Sequence, residues 1–258
     1  MADTVLSVLS GSWLQILSTM LVAYLLGSIS FSIIITKKVA QNADIRKMGS
    51  GNAGFTNVLR SVGKGPAVFT IVFDFLKGVL AVALGGLIFS TIVQNAAPAE
   101  ELVSYGKYIA GFCCILGHMF PVYFGFKGGK GVVTAAALML VADWRVFLAV
   151  IAVFLIVFLI TKIISEASLV SAVFYPIFTF CFTYFLDYLP SLETAQPRTI
   201  LYVIFGTAFS FGVGLVVFIK HRENIKRIIN GTEKKITAKS KNCLLYTSPS
   251  PRDVEESR

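Results

Sequence analysis

A chain of 258 residues that is 55% hydrophobic and only 14% charged, with 22 Phe and a mean hydropathy of +0.76, is too apolar for a soluble domain and reads as a polytopic α-helical membrane protein. Its apolar runs are long and continuous, whereas the strands of a membrane barrel alternate every second residue, which excludes a β-barrel. The net charge of +9 is concentrated in a few polar segments between those runs. That location points to a membrane surface and calls for no nucleic-acid partner.

A helix needs about 20 apolar residues to cross the hydrocarbon core. The runs fall at residues 13–36, 66–93, 108–124, 132–142, 146–161, 169–189 and 200–219. The first has no basic flank before it and is too long for a signal peptide, so it is expected to be retained. The fourth, Val132–Ala142, is short for a crossing and could be re-entrant or packed inside the bundle. Seven is therefore the preferred number of spans. The fold class expected is all-α, a single transmembrane domain over residues 1–242.

Lysine and arginine set the orientation. No basic residue precedes the first run, and six lie in residues 37–65. Lys127 and Lys130 follow the third run, and eight basic residues lie between 220 and 242. The segments around 94–107, 143–145 and 187–199 are neutral or nearly so. With seven spans the alternation places the N-terminus outside, the C-terminus in the cytoplasm, and every strongly basic segment on the cytoplasmic face. Residues 187–198 then form an elongated external loop.

Cysteine carries little information: Cys113, Cys114 and Cys181 lie in apolar runs and read as small buried hydrophobes. No His/Cys spacing suits zinc, and no metal is expected. Residues 243–253, CLLYTSPSPRD, resemble the translation of a sequencing-library adapter. Residues 243–258 are accordingly set aside as a non-native tail.

Chemistry is concentrated in a few polar stretches. Residues 49–60 read GSGNAGFTNVLR, with Gly49, Ser50, Gly51, Asn52, Thr56, Asn57 and Arg60 beside Lys37, Lys38, Arg46, Lys47 and Lys64. Glycine-rich backbone in a basic setting is the composition of an anion site. The formal GxGxxG at 49–54 has no βαβ unit around it and is not a dinucleotide fingerprint. A helix opening near Asn52 would offer free N–H groups, with Asn57 and Arg60 on one face; a plain flexible loop is the alternative. Asp74 and Lys77 are ionisable residues inside the second run, either an internal pair or a pair that orients the site. Residues 117–131, GHMFPVYFGFKGGKG, end a helix at His118 and present Lys127 and Lys130 around Gly128, Gly129 and Gly131. This is not a Walker loop, because Phe124 and Gly131 stand where Gly and Ser/Thr are required. A second anion loop fits, as does a solvated turn. Ser165 and Ser168 lie at the end of a run and are otherwise helix caps. His221 and Asn224 share a helix face just beyond the last run, in HRENIKRIINGTE.

GSGNAGFTNVLR, GHMFPVYFGFKGGKG and HRENIKRIINGTE resemble the three signature motifs of the bacterial acyl-phosphate:glycerol-3-phosphate acyltransferases, the PlsY family. GSISF (27–31) and DFLKG (74–78) are similar to further stretches of it, in order along the chain to Lys235. Phe55 and Ser30 depart from the family pattern, where Ala and Pro are usual. The resemblance implies transfer of a fatty acyl group from acyl phosphate to the 1-hydroxyl of sn-glycerol-3-phosphate at the cytoplasmic face of a bacterial inner membrane, without a cofactor. Carried over by motif, Ser50, Arg60, Lys127, Ser165, His221 and Asn224 would bind the phosphates. Asn52, Asn57, Lys130 and the loop glycines would shape the cradle. Because the donor is an activated mixed anhydride, the site must hold two anions side by side and orient a hydroxyl. Ser50 is expected to donate a hydrogen bond rather than carry the acyl group. The hydroxyl proton is expected to leave to a substrate phosphate rather than to His221, whose cationic setting lowers its pKa. The Hx4D acyltransferases are excluded, since neither histidine has an acid five residues on. An organic-phosphate transporter is the rival; it would call for polar residues near the midplane of several helices and an internal repeat.

Overall fold

The computed structural model describes residues 2–92 and 99–236. The tail set aside at 243–258 lies outside the described residues. Among them every regular element is helical, as expected. The helices are α1 (Ala2–Gly11), α2 (Trp13–Gly27), α3 (Phe31–Val39), α4 (Phe55–Ser61), α5 (Lys64–Ser90), α6 (Ala99–Met119), α7 (Val132–Ala142), α8 (Trp144–Thr161), α9 (Ile164–Cys181), α10 (Leu189–Ser191), α11 (Ile200–Lys220) and α12 (Arg222–Ile229). Among the described residues six segments are long and apolar enough to cross a membrane: Trp13–Val39, Lys64–Ser90, Ala99–Phe124, Trp144–Thr161, Ile164–Ser191 and Ile200–Lys220.

Three of these spans are interrupted, Ala99–Phe124 only near its end, where α6 gives way at Phe120 and Pro121 to a single 3₁₀ turn, Val122–Phe124. The first breaks between α2 and α3, where Ser28 caps α2 and Ser30 turns to extended backbone before Phe31. α2 meets α6 backbone to backbone there: a Cβ on Gly27 would lie 2.2 Å from the Cys114 carbonyl oxygen, and one on Gly117 2.2 Å from that of Tyr24. Such small-residue seams are how membrane helices approach closely where no hydrophobic effect drives them together. The span 164–191 carries Pro176 inside α9 and passes through a π-helical stretch, Phe182–Tyr188, into α10. Proline has no N–H to give the Ala172 carbonyl. Gly214 of α11 packs at that carbonyl, 2.8 Å from where its Cβ would sit.

α7 has the bounds read from the sequence, and its eleven residues extend only about 16 Å, half the hydrocarbon thickness. It packs on α5, α6 and α8. It begins at Gly131 among the basic motifs and ends at Asp143 in a polar cluster at the other end of the bundle. There Arg145 bridges Asp143 and Asp187 at 2.7 and 2.8 Å, and Arg198 pairs with Glu100 at 3.0 Å.

Residues 37–63 are not a loose loop. Ile33, Ile45, Ala53, Val58 and Ala67 form a small apolar core under them, separate from the two cores of the bundle. Asn57 is 2% exposed and fastens this cap from inside. Its amide nitrogen donates to the Ile45 and Met48 carbonyls at 3.1 and 2.9 Å, and its oxygen accepts from Ser50 N–H at 2.9 Å. Arg46, held on Asp44, donates to the Phe124 carbonyl at 2.5 Å and ties the cap to the loop after α6.

Candidate active site

The three motif segments meet at one end of the bundle, around the carboxylate of Glu233. Gly231, in the left-handed region (φ 67°), turns the chain back after α12 and brings Glu233 in. Ser165 Oγ donates to Glu233 Oε1 at 2.8 Å, and Asn224 Nδ2 donates to the same oxygen at 2.7 Å. Arg227 Nε donates to Oε2 at 2.6 Å. Lys130 Nζ donates to Asn224 Oδ1. Arg60 donates to the backbone carbonyl of Lys234 at 3.1 Å.

The electrostatics follow from this packing. Burial and the neighbouring Arg227 and Arg60 lower the Lys130 pKa to about 8, against the opposing pull of Glu233. Burial lowers Arg60 as well, with Arg227 adding to it and Glu233 opposing. Burial raises Glu233, but hydrogen bonds from Arg227, Ser165 and Asn224 outweigh it and hold the carboxyl below its usual range. His221 is 2% exposed, with Nδ1 2.8 Å from the Val217 carbonyl oxygen. Burial, then the Lys130 charge, lowers it to about 4, so the imidazole is neutral at physiological pH. Its Nδ1–H donates to the carbonyl, which leaves Nε2 as an acceptor. Lys130, Arg60 and Arg227 against one carboxylate leave an excess of two positive charges, a setting that suits an anion.

Of the residues expected to bind phosphate, Arg60, Ser165, Asn224 and His221 therefore converge, joined by Lys130. Ser165 is not a helix cap: it lies within the first turn of α9, and the nearby Ser168 hydroxyl donates back to the Ile164 carbonyl at 2.8 Å. Ser50 and Lys127 are exposed at the same end, their side chains free of hydrogen bonds and ion pairs among the described residues. α4 opens at Phe55, three residues later than the helix start expected near Asn52. Asn57 and Arg60 do not act together, because the Asn57 amide is buried in the cap's interior and the Arg60 guanidinium extends to the Lys234 carbonyl. Asn52 and the glycines Gly49 and Gly51 line the open side of the cap, both glycines at positive φ. Gly128 and Gly129 donate their N–H groups to the Met119 and His118 carbonyls at 3.3 and 3.1 Å, and Gly131, at φ 77°, starts α7. Asp74, Lys77 and His118 lie behind that loop.

Two participants escaped sequence reasoning, Glu233 and Arg227. The signal was present, since Glu233 closes the run HRENIKRIINGTE nine residues after Asn224. An acid among cations does not announce itself as an organiser. No group of three His, Cys, Asp or Glu that could ligate a metal occurs among the described residues.

Beside this cluster an apolar groove of about 470 Å³ runs between α5, α7, α8, α9 and α11. Val132, Ser168 and Val217 line its near end, each within about one helical turn of Lys130, Ser165 or His221; Met139, Phe147 and Tyr175 lie further in.

Fold and site together define an integral membrane protein that gathers cationic and hydrogen-bonding groups at one end of a helical bundle, next to an apolar groove. Residues 17–231 match the glycerol-3-phosphate acyltransferase family. The chain is 38% identical over 235 residues to the glycerol-3-phosphate acyltransferase of Trichormus variabilis, covering 89% of this chain and 96% of that one. It is 39% identical over 216 residues to that of Mesorhizobium japonicum, covering 84% and 93%. Its fold is similar to the crystal structure of PlsY (YgiH), an integral membrane glycerol 3-phosphate acyltransferase, in the glycerol 3-phosphate form. That likeness has a TM-score of 0.69 and 32% identity over 86% of this chain and 96% of that one. The lysophosphatidic acid form of the same protein gives 0.66 and 31%, over 86% and 95%. The chain belongs to the glycerol-3-phosphate acyltransferase family, and the transporter reading is not favoured.

Proposed function

We propose that the protein transfers a fatty acyl group from acyl phosphate to the 1-hydroxyl of glycerol-3-phosphate, releasing lysophosphatidic acid and inorganic phosphate. The observation that carries this reading is the Glu233 carboxylate held by Ser165 and Asn224, with Lys130 on Asn224 and Arg60 and His221 close by, at the mouth of an apolar groove. Both proposed substrates present phosphate, and the donor also presents an acyl chain that suits the groove. The names of the relatives supply glycerol-3-phosphate; the acyl-phosphate donor rests on the motif resemblance and on the site itself. A mixed anhydride needs no further activation, and the Glu233 carboxylate beside the Ser165 hydroxyl, held below its usual range by its hydrogen bonds, is too weak a base to make that serine a nucleophile. The cations hold two phosphates side by side, the hydroxyl attacks the carbonyl carbon, and the acyl C–O bond to phosphate breaks. The hydroxyl proton passes to a phosphate oxygen, because the neutral His221 is too weak a base to take it.

The site then faces the cytoplasm of a bacterial inner membrane. α7 serves as a seventh crossing, since it connects the two ends of the bundle despite its length. The direct test uses purified protein in detergent with labelled glycerol-3-phosphate and three donors: palmitoyl phosphate, palmitoyl-CoA and palmitoyl acyl carrier protein. Product with palmitoyl phosphate alone is expected. Product with only the thioesters overturns the donor assignment.

A further inference from the structure

Three ionisable side chains lie together inside the bundle and take no part in the anion cluster. Asp74 and Lys77 of α5 and His118 of α6 are between 3% and 6% exposed. Lys77 Nζ lies 2.8 Å from Asp74 Oδ1, donates to the Ile29 carbonyl at 2.6 Å, and lies 3.1 Å from His118 Nδ1. The contacts with Ile29 and His118 are hydrogen bonds, and the contact with Asp74 is an ion pair that supplies the countercharge. The imidazole therefore accepts at Nδ1 and carries its proton on Nε2. In this way α5, the break between α2 and α3, and the last turn of α6 are joined at a single nitrogen.

The last turn of α6 is the seat of the glycine loop. The His118 carbonyl accepts from Gly129 N–H at 3.1 Å, and the Met119 carbonyl accepts from Gly128 N–H at 3.3 Å and from Lys220 Nζ at 2.9 Å. Gly129 is clasped between the two anion loops. A Cβ there would lie 2.2 Å from His118 Nε2 on one side and 2.6 Å from the Ala53 carbonyl oxygen on the other. The imidazole thus sets the spacing between the cap that carries Ser50 and Arg60 and the loop whose next residue, Lys130, reaches Asn224.

We propose that Asp74, Lys77 and His118 are positioning residues that hold the two anion loops in register through Gly129, so that Lys130 and Arg60 address substrate phosphate together. The inference rests on the acyltransferase reading of the cluster. A buried ion pair is a poor source of stability, because an apolar pair of similar size commonly does as well. At membrane depth it is costly besides. What the charges add here is geometry, two directed hydrogen bonds from one ammonium that Asp74 holds in place as its counterion.

The test compares the double variant Asp74→Asn/Lys77→Met, which leaves no lone buried charge, with His118→Ala and His118→Asn, using palmitoyl phosphate and glycerol-3-phosphate. The double variant and His118→Ala are expected to raise KM for glycerol-3-phosphate about tenfold or more, with kcat changed by less than about threefold. Combining them is expected to cost no more than the worse of the two, because both act through one ring. His118→Asn places an amide oxygen near the Nδ1 position and is expected to recover most of the loss. If the double variant does not fold, the two His118 variants carry the test with the Asp74–Lys77 pair intact. A lowered thermal midpoint with unchanged KM reduces the set to structure alone and overturns the proposal. So do effects that multiply, or a His118→Asn variant as impaired as His118→Ala, which would mean that Nε2 touches substrate itself. Wild-type protein that makes no product with any donor withdraws the underlying acyltransferase reading; wild-type activity with normal KM in the variants sinks only this inference.

Discussion

Lys130 offers the most quantitative check of the anion cluster. Burial brings its pKa from 10.5 down to about 8, with Arg227 and Arg60 contributing and Glu233 opposing. In the proposed function the charged form binds phosphate, so binding should be complete a unit or more below pH 8 and be lost as pH rises through it. At pH 9 about one site in ten retains the ammonium, so kcat/KM for glycerol-3-phosphate should fall about tenfold from its plateau. The second ionisation of substrate phosphate, near pH 6, also shapes the profile but is common to every variant. Two variants isolate the lysine. In Lys130→Arg the fall near pH 8 should vanish, whatever the plateau. In Glu233→Gln the supporting carboxylate charge is gone, so the fall should move below pH 8. The assay is initial-rate formation of labelled lysophosphatidic acid from pH 5.5 to 9.5. A profile flat from pH 7 to 9.5 in the wild-type protein, or a fall near 8 that persists in Lys130→Arg, refutes the reasoning. An inflection near 6.5 abolished by His221→Asn would instead identify His221 as a titrating base, against the lowered pKa its burial gives it.

Three further outcomes follow from the packing. Arg60 is exposed and makes one hydrogen bond, to the Lys234 carbonyl, so Arg60→Ala should change unfolding stability by less than about 1 kcal/mol. Activity should nonetheless fall by two or more orders of magnitude, and near-normal turnover would remove Arg60 from the site. Ser50 has no base beside its hydroxyl, so rapid quench and intact-mass analysis with palmitoyl phosphate should show no acyl-enzyme; Ser50→Ala should weaken substrate binding without abolishing turnover. Asn57→Ala removes four hydrogen bonds under the cap, the one from Ser61 Oγ long at 3.4 Å, and should cost about 2–3 kcal/mol of stability in thermal or denaturant unfolding. An unchanged midpoint would contradict the role assigned to Asn57.

The sequence made the spans legible because hydropathy is a property of each run by itself. α7 was located to the residue, and its shortness was visible at once. The interruptions were not. The break at Ser28–Ser30 depends on Gly27 and Gly117 letting α2 and α6 touch, and the π-helical stretch after α9 follows Pro176 and its packing on α11. Both are tertiary facts with a faint local signature. Basic residues and glycines pointed to the end of the bundle where Arg60, Lys130, Ser165 and Asn224 come together, since local composition already shows where charge and free backbone gather. The reach of individual side chains was hidden: Asn57 and Arg60, three apart on α4, lie on one side of the helix, but the short amide stays buried on the Ile45 and Met48 carbonyls while the long guanidinium extends to the Lys234 carbonyl. Glu233 was hidden for a different reason. Its partners come from helices 68 residues away in the case of Ser165 and 9 in the case of Asn224, and only the turn at Gly231 brings them together.

The account stands or falls on attack of the glycerol hydroxyl at the acyl carbonyl carbon. The most direct measurement uses palmitoyl phosphate carrying ¹⁸O in the bridging position, turned over with unlabelled glycerol-3-phosphate and read by mass spectrometry. The proposed reaction cleaves the carbonyl carbon–oxygen bond, so the label should leave entirely in inorganic phosphate while lysophosphatidic acid forms unlabelled. Label appearing in palmitate alongside a glycerol bisphosphate would mean attack at phosphorus, and it would contradict the assignment of the cluster as an acyl-transfer site.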